Sequence, residues 1–146
     1  MKARVITQVS IAASPAEIFR YLAQVKHHHL WNPHLVHVSS MKTLKLDAHY
    51  DADSILFGIN VTATNVVTKF VKNEELELEN KAGPLEYQVN YQLHAKGKKT
   101  LLICATTVSS DSNAWTFAKP MLKLVAKHEL RTDLDLLKHV VENRLS

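Results

Sequence analysis

The chain of 146 residues has one cysteine, three glycines and no long uninterrupted apolar run. Each shortage excludes something. A lone cysteine, Cys104, cannot close an internal disulfide, so nothing calls for an oxidising compartment. Three glycines leave no phosphate-cradling loop, and there is no Gly-x-Ser-x-Gly elbow for a nucleophilic serine. Cys104 sits inside an apolar run with no histidine near it in sequence, which argues against a nucleophilic thiol. No segment approaches the ~18 consecutive apolar residues of a membrane span. The stretch Val5 to Ile11 behind Lys2 and Arg4 is too broken by polar residues for a signal peptide. The expectations are a cytoplasmic location and no stable membrane insertion.

What is present is ordinary for a globular protein: 46% hydrophobic and 22% charged residues, at the size of a single domain spanning 1–146. Net charge is +4, but the basic residues are dispersed. The densest stretch, Lys96, Gly97, Lys98 and Lys99, reads as a solvated hairpin tip. Without aromatic interleaving, no nucleic-acid partner is expected.

Residues 3–11 alternate Val5, Thr7, Val9 and Ile11 against Arg4, Gln8 and Ser10, a strand with one face buried. Ser14-Pro15-Ala16-Glu17 then carries a helix start: a capping serine, proline at the first helical position, and a glutamate three residues after the cap. That helix buries Ile18, Phe19 and Leu22 and is expected to end near Lys26. His27-His28-His29-Leu30-Trp31-Asn32-Pro33 reads as a polar surface turn around a buried Trp31, stopped by Pro33. A strand is expected over 34–41. Further strands are expected over 48–57, 60–71, 75–81, 85–95 and 99–109, separated by short turns. Such turns allow hairpins, and the absence of helical crossovers between residues 40 and 110 points to an antiparallel meander.

From Trp115 to Arg144 no glycine interrupts, and one long helix is expected. In its first half Phe117, Met121, Leu124, Val125 and His128 share a side, opposite Lys119, Lys123, Lys127 and Arg131. In its second half the apolar set is Leu130, Leu134, Leu136, Leu137, Val140 and Val141, rotated from the first. The helix is therefore expected to bend or change packing partner near His128 to Arg131. The first half is expected to roof a cavity, and the second to pack solidly on the sheet.

The element order, with the Ser14-Pro15-Ala16-Glu17-Ile18-Phe19 start, the Trp31-Asn32-Pro33 stop and the Leu134-Asp135-Leu136-Leu137-Lys138 ending, resembles the START-like superfamily. Within it, the chain is most similar to the polyketide cyclase/dehydrase branch. The resemblance implies an α+β helix-grip fold, in which a curved antiparallel sheet of about seven strands wraps a long C-terminal helix around an apolar cavity. It implies a small hydrophobic or amphipathic ligand, or a lipid, as partner, with cyclases, dehydratases or hydrolases as a minority. Leu44-Lys45-Leu46-Asp47-Ala48 stands where that family often has a glycine-rich approach to its third strand.

Chemistry-bearing residues are weighed on that frame. His27, His28, His29, His34, His37 and His49 cluster in sequence, but neighbours on a helical turn point about 100° apart, so no metal site is expected. Asp51 with Asp53, and Glu75 with Glu77 and Glu79, each share a strand face. They read as solvated faces, or as acid pairs if turned inward. Tyr87 and Tyr91 lie on the apolar face of their strand, His128 on that of the helix, and Tyr50 where the resemblance places a cavity-facing residue. The candidate ligand-binding set is therefore Tyr50, Tyr87, Tyr91, Phe117, Met121, Leu124, Val125 and His128. No catalytic residue and no cofactor is assigned. The leading expectation is a carrier or sensor of a small apolar molecule. The alternatives are a polyketide cyclase or dehydratase using a cavity histidine or carboxylate as general acid/base, and a protein-interaction module. Oligomeric state is not read.

Overall fold

A computed structural model describes residues 2–56, 59–81, 85–109 and 113–146, with side chains except at positions 56, 59 and 113–122. Seven strands form one curved antiparallel sheet in the order β1-β7-β6-β5-β4-β3-β2. They are β1 (Lys2–Ile11), β2 (Leu35–Val38), β3 (His49–Leu56), β4 (Ile59–Val71), β5 (Glu75–Asn80), β6 (Glu86–Lys96) and β7 (Lys99–Ser109). Between β1 and β2 come helix α1 (Pro15–Ala23), a single 3-10 turn (Val25–His27) and the short helix α2 (His28–Trp31); helix α3 (Asn113–Glu142) ends the fold. The expected helix-grip architecture is present.

Local chemistry accounts for most boundaries. The Ser14 hydroxyl accepts from the Glu17 amide at 3.2 Å, with Pro15 opening the first turn. A cap of this kind contributes about 1 kcal/mol. Lys96 pairs with Lys99 across the two-residue turn Gly97-Lys98, and Gly97 at φ +65° supplies the positive φ that a type II′ hairpin turn needs. Before β3 no glycine is available. There Asp47 takes the left-handed conformation at φ +66°, its amide bonded to the Val67 carbonyl at 3.0 Å, and Leu44 is buried with its amide on Ala23 O at 2.7 Å.

Three expectations are corrected. Helix α1 stops at Ala23, not near Lys26, because the Gln24 backbone leaves the helical region and opens the separate turn. Strand β2 covers only Leu35–Val38 instead of 34–41, with an irregular register against β3 between Leu35 and His37. Most informative is α3. Over its described side chains the buried positions form a single face: Ala126, Leu134, Leu137, Val140 and Val141, with Leu130 and Asp133 partly covered between them. That face runs at i, i+4, i+7 spacing without a rotation. Leu124 (71% exposed) and Val125 (38% exposed) lie off it. The apparent change of stripe near His128 arose because the inward positions there are an alanine and an aspartate, which hydropathy does not mark.

The grip itself is made by the C-terminal turns of α3. Leu134, Leu137, Val140 and Val141 join Val9 and Ile11 of β1, Ile18, Phe19 and Leu22 of α1, and Leu76, Leu93 and Leu102 of the sheet in one core. Polar contacts fix the helix end: Lys138 Nζ donates to Ser10 O at 2.6 Å, Glu142 Oε2 accepts from Ala12 N at 2.8 Å, and Tyr21 Oη donates to Leu145 O at 2.7 Å. On the outer face of the sheet, Asp51 and Asp53 accept from Thr64 and Thr62. Glu77 accepts from Thr68, Gln88 and Asn90, and is buried beneath its neighbours. These carboxylates stand on the face away from the cavity.

Candidate functional site

Between sheet and helices lies a cavity of about 120 Å³. Alternation along the strands decides which residues reach it. Strand β3 contributes Tyr50, Ala52 and Ser54; β6 contributes Tyr87, Val89 and Tyr91; β7 contributes Cys104, Thr106 and Val108. Leu35 of β2, Asn65 of β4, Leu78 of β5 and Leu85 complete the sheet side. The other side is made by Leu22 of α1, His28 and Trp31 of α2, and Leu130, Asp133 and Leu134 of α3.

The expected residues divide. Tyr50, Tyr87 and Tyr91 line the cavity together. Leu124 and His128 do not; with Ile6, Gln8, Lys127 and Arg131 they border a groove on the outside of the molecule. Val125 lines neither. The side chains of Phe117 and Met121 lie outside the described residues. The roof that is described is therefore built from the turn Leu130–Leu134, not from the segment ending at His128. The reason is the phase of the α3 face, which brings position 130, not 128, over the sheet.

Among the lining residues outside the expected set, two ionisable ones stand out, His28 and Asp133. His28 is buried, not part of a surface turn, and its Nε2 lies 2.7 Å from the Leu22 carbonyl. A carbonyl can only accept, so Nε2 carries the proton. Burial lowers the imidazole to about 4, against the opposing effect of that hydrogen bond, with further lowering from His27 and His29. It is neutral at pH 7, leaving its Nδ1 lone pair as an acceptor. Its ring stands edge-on to Trp31 at 5.4 Å and to Tyr50 at 6.2 Å.

The second is Asp133. Burial, and then the neighbouring Glu129 carboxylate, raise its carboxyl to about 7. His34, in the segment leading into β2, places Nε2 3.5 Å from Asp133 Oδ1 and 4.0 Å from Glu129 Oε2. The 3.5 Å approach is close enough for charge attraction but lacks hydrogen-bond alignment. Both Asp133 Oδ1 and His34 Nε2 are buried without a hydrogen-bond partner among the described residues. Among those residues no group of three His, Cys, Asp or Glu side chains is arranged to hold a metal ion, this cluster included.

The three phenols differ in their partners. Tyr87 Oη donates to Asn65 Oδ1, and its hydroxyl is raised to about 12, mainly by burial. Tyr50 and Tyr91 are raised further by burial. Neither makes a hydrogen bond with the described residues. Tyr91 is the meeting point, close enough to feel Cys104, Asp133, Tyr50 and Tyr87. Burial lifts the Cys104 thiol to about 12, so it is a packed wall of the cavity and not a nucleophile.

No protein-family model matches the chain, and no curated protein matches it. Solved structures do. A START superfamily protein from Mycobacterium smegmatis aligns with a TM-score of 0.80 at 17% identity, over 97% of this chain and 98% of its own. The Zhui aromatase/cyclase from Streptomyces sp. R1128 aligns with a TM-score of 0.83 at 14% identity, over 99% of this chain and 96% of its own. A protein from Thermus thermophilus aligns with a TM-score of 0.84 at 11% identity, over 99% of this chain and 100% of its own. Identities this low carry the fold and not the activity. The chain has a START-like, polyketide-cyclase-like helix-grip fold, with its cavity beneath α2 and the Leu130–Leu134 turn of α3.

Proposed function

We propose that the protein binds a small apolar or amphipathic molecule in this cavity, as a carrier or sensor. The supporting observation is the pair of unpartnered phenols. Tyr50 and Tyr91 both line a largely apolar cavity and make no hydrogen bond with the described residues. Polar groups inside a protein are nearly always bonded, so these phenols are open to a water or to a ligand in the cavity. A few convergent polar groups in an apolar hollow are also how small-molecule sites obtain orientation. The volume is close to the ~150 Å³ of an engineered cavity that takes up benzene. A ring with a short polar arm therefore suits it better than a sterol or a long acyl chain.

Thermal unfolding in the presence of compact ring compounds checks this. A ligand at a hundred times its dissociation constant stabilises by about 2.7 kcal/mol, a midpoint rise of several degrees for a chain of this size. If no compact probe moves the midpoint and native mass spectrometry finds no retained apolar molecule, the reading is wrong.

Asp133 supports a second reading, an acid–base enzyme. A carboxyl raised to about 7 is poised to take and return a proton at neutral pH, and the Tyr91 phenol beside it is placed to hydrogen-bond an oxygen on which charge develops. The step that fits is proton removal from a carbon next to a carbonyl: Asp133 takes the proton, the electron pair moves onto the carbonyl oxygen, and a phenol holds the resulting enolate. A cyclase or dehydratase needs such an enolate. Deuterium exchange into a small ketone, followed by NMR, is expected to be lost in Asp133→Asn and reduced in Tyr91→Phe. Exchange equal to buffer alone in the wild type leaves the protein a binder.

A further inference from the structure

The charges around the cavity are one-sided. Among its described lining residues there is no lysine or arginine, and the one imidazole, His28, is held neutral by its burial. The lining carboxyl, Asp133, has a second carboxylate, Glu129, one helical turn away. The groups that face Asp133 are His34 from the segment before β2, Glu129 from its own helix, Tyr91 from β6 and Cys104 from β7. Of these, only His34 is able to carry positive charge, and it meets Asp133 without hydrogen-bond alignment.

The walls next to the carboxyl are aromatic. Trp31 and Tyr91 stand perpendicular at 6.2 Å, and the His28 ring bridges from Trp31 to Tyr50. The Trp31 indole nitrogen donates to Tyr21 O at 3.3 Å, so the ring is fixed in place. Aromatic faces beside a carboxylate in a water-poor hollow are the chemistry that recognises an organic cation. An anion entering the same space meets the Asp133 carboxyl and no lysine or arginine among the described lining residues. A neutral molecule finds the phenols and a few uncharged polar groups, Ser54, Asn65 and Thr106 among them, but no charge to pair with.

On the reading that the cavity binds a ligand, we propose that this ligand is a compact aromatic or alicyclic amine, held as its ammonium ion against Asp133 with its ring among Trp31, Tyr50 and Tyr91. An ammonium group against the part of Asp133 that lines the cavity offsets the cost of a buried carboxylate. The site then discriminates by charge as well as by size, and it disfavours fatty acids and other carboxylates.

The test uses three probes that share a phenyl ring and a short arm: 2-phenylethylamine, 2-phenylethanol and phenylacetate, titrated into the full chain by ligand-observed NMR. Near pH 8, with Asp133 ionised, the amine is expected to bind roughly ten- to a hundredfold more tightly than the alcohol, with the acid weakest. Near pH 5.5 the amine, still protonated, loses that advantage because Asp133 has taken up a proton. Asp133→Asn is expected to erase the preference near pH 8, with a circular dichroism spectrum and a cooperative thermal transition showing that the variant is folded. Equal affinity for amine and alcohol in the wild type near pH 8 overturns the amine assignment and leaves ligand binding standing. Binding of none of the three overturns both. An amine preference that survives in Asp133→Asn, or that is unchanged near pH 5.5, also overturns the assignment, since the cation is then held elsewhere.

Discussion

Leu137→Ala is expected to destabilise the protein by roughly 2–5 kcal/mol, whereas Leu124→Ala should leave stability within about 0.5 kcal/mol. Both are leucines on the same helix, thirteen residues apart by their numbers. Leu137 is 0% exposed in the core shared with β1 and α1, and Leu124 is 71% exposed. Removing the Leu137 side chain loses its transfer energy and leaves a void that neighbours in regular elements fill only partly. Equilibrium denaturation of the two variants compares them directly. A large loss at Leu124 with little at Leu137 would mean that the inward face of α3 has been assigned to the wrong side. The contrast matters for the site, because the face that carries Leu137 also carries Asp133 and Leu130.

The second large effect is on the pH dependence of stability, where two cavity residues act with opposite sign. His28 in the folded state titrates at about 4, below its ordinary 6.5. As pH falls from 6.5 to 4 the unfolded chain takes up a proton that the folded one refuses, so stability is lost on acidification across that window. The full loss is roughly 3 kcal/mol at about 1.4 kcal/mol per pH unit. Asp133 runs the other way. Its folded value, about 7, lies above its ordinary 3.8, so the folded chain retains a proton that the unfolded chain has released. Its contribution is complete below 3.8 and is lost as pH rises to about 7, by a few kcal/mol. The two slopes largely cancel between about pH 4 and 6.5 in the wild type, and single variants should unmask them. Stability of Asp133→Asn is expected to rise with pH over that window, and that of His28→Gln to fall. Denaturation midpoints of Asp133→Asn running parallel to the wild type from about pH 4 to 7 would show that Asp133 is not held as described.

The legible parts of this protein are those where period and punctuation coincide. The sequence alternates from Leu85 to His94 and, apart from Ile6, along β1, and that alternation puts Tyr87 and Tyr91 on the inward face. Ser14 and Pro15 mark the start of α1 by their own chemistry. Tyr50 was reached by resemblance, and it shares the inward face of β3 with Ala52 and Ser54. What stayed hidden has physical causes. A run of three histidines split between a 3-10 turn and a four-residue helix carries no period, so nothing local says that His28 and not His27 or His29 is buried. Asp133 sits four residues after Glu129, the spacing of an ordinary solvated helix face. One signal was available: Leu130, position 133 and Leu137 fall at i, i+3 and i+7, so an aspartate interrupts an apolar face. His34 reaches that aspartate only because Pro33 ends α2 and sends the chain across α3, a tertiary event with no local trace. The same holds for Ala126, too small to mark the inward stripe that Leu124 and Val125 appeared to define.

The central claim, a ligand cavity walled by Tyr50, Tyr91, Trp31 and the Leu130–Leu134 turn, is tested most directly by backbone and methyl NMR of the labelled protein during titration with 2-phenylethylamine near pH 8. The account predicts saturating shifts centred on Tyr50, Tyr91, Leu130, Asp133 and Leu134, with Ile6, Leu124 and Lys127 unmoved. Shifts confined to the outer groove of Ile6, Leu124, Lys127 and Arg131, with the cavity residues unchanged, would contradict it.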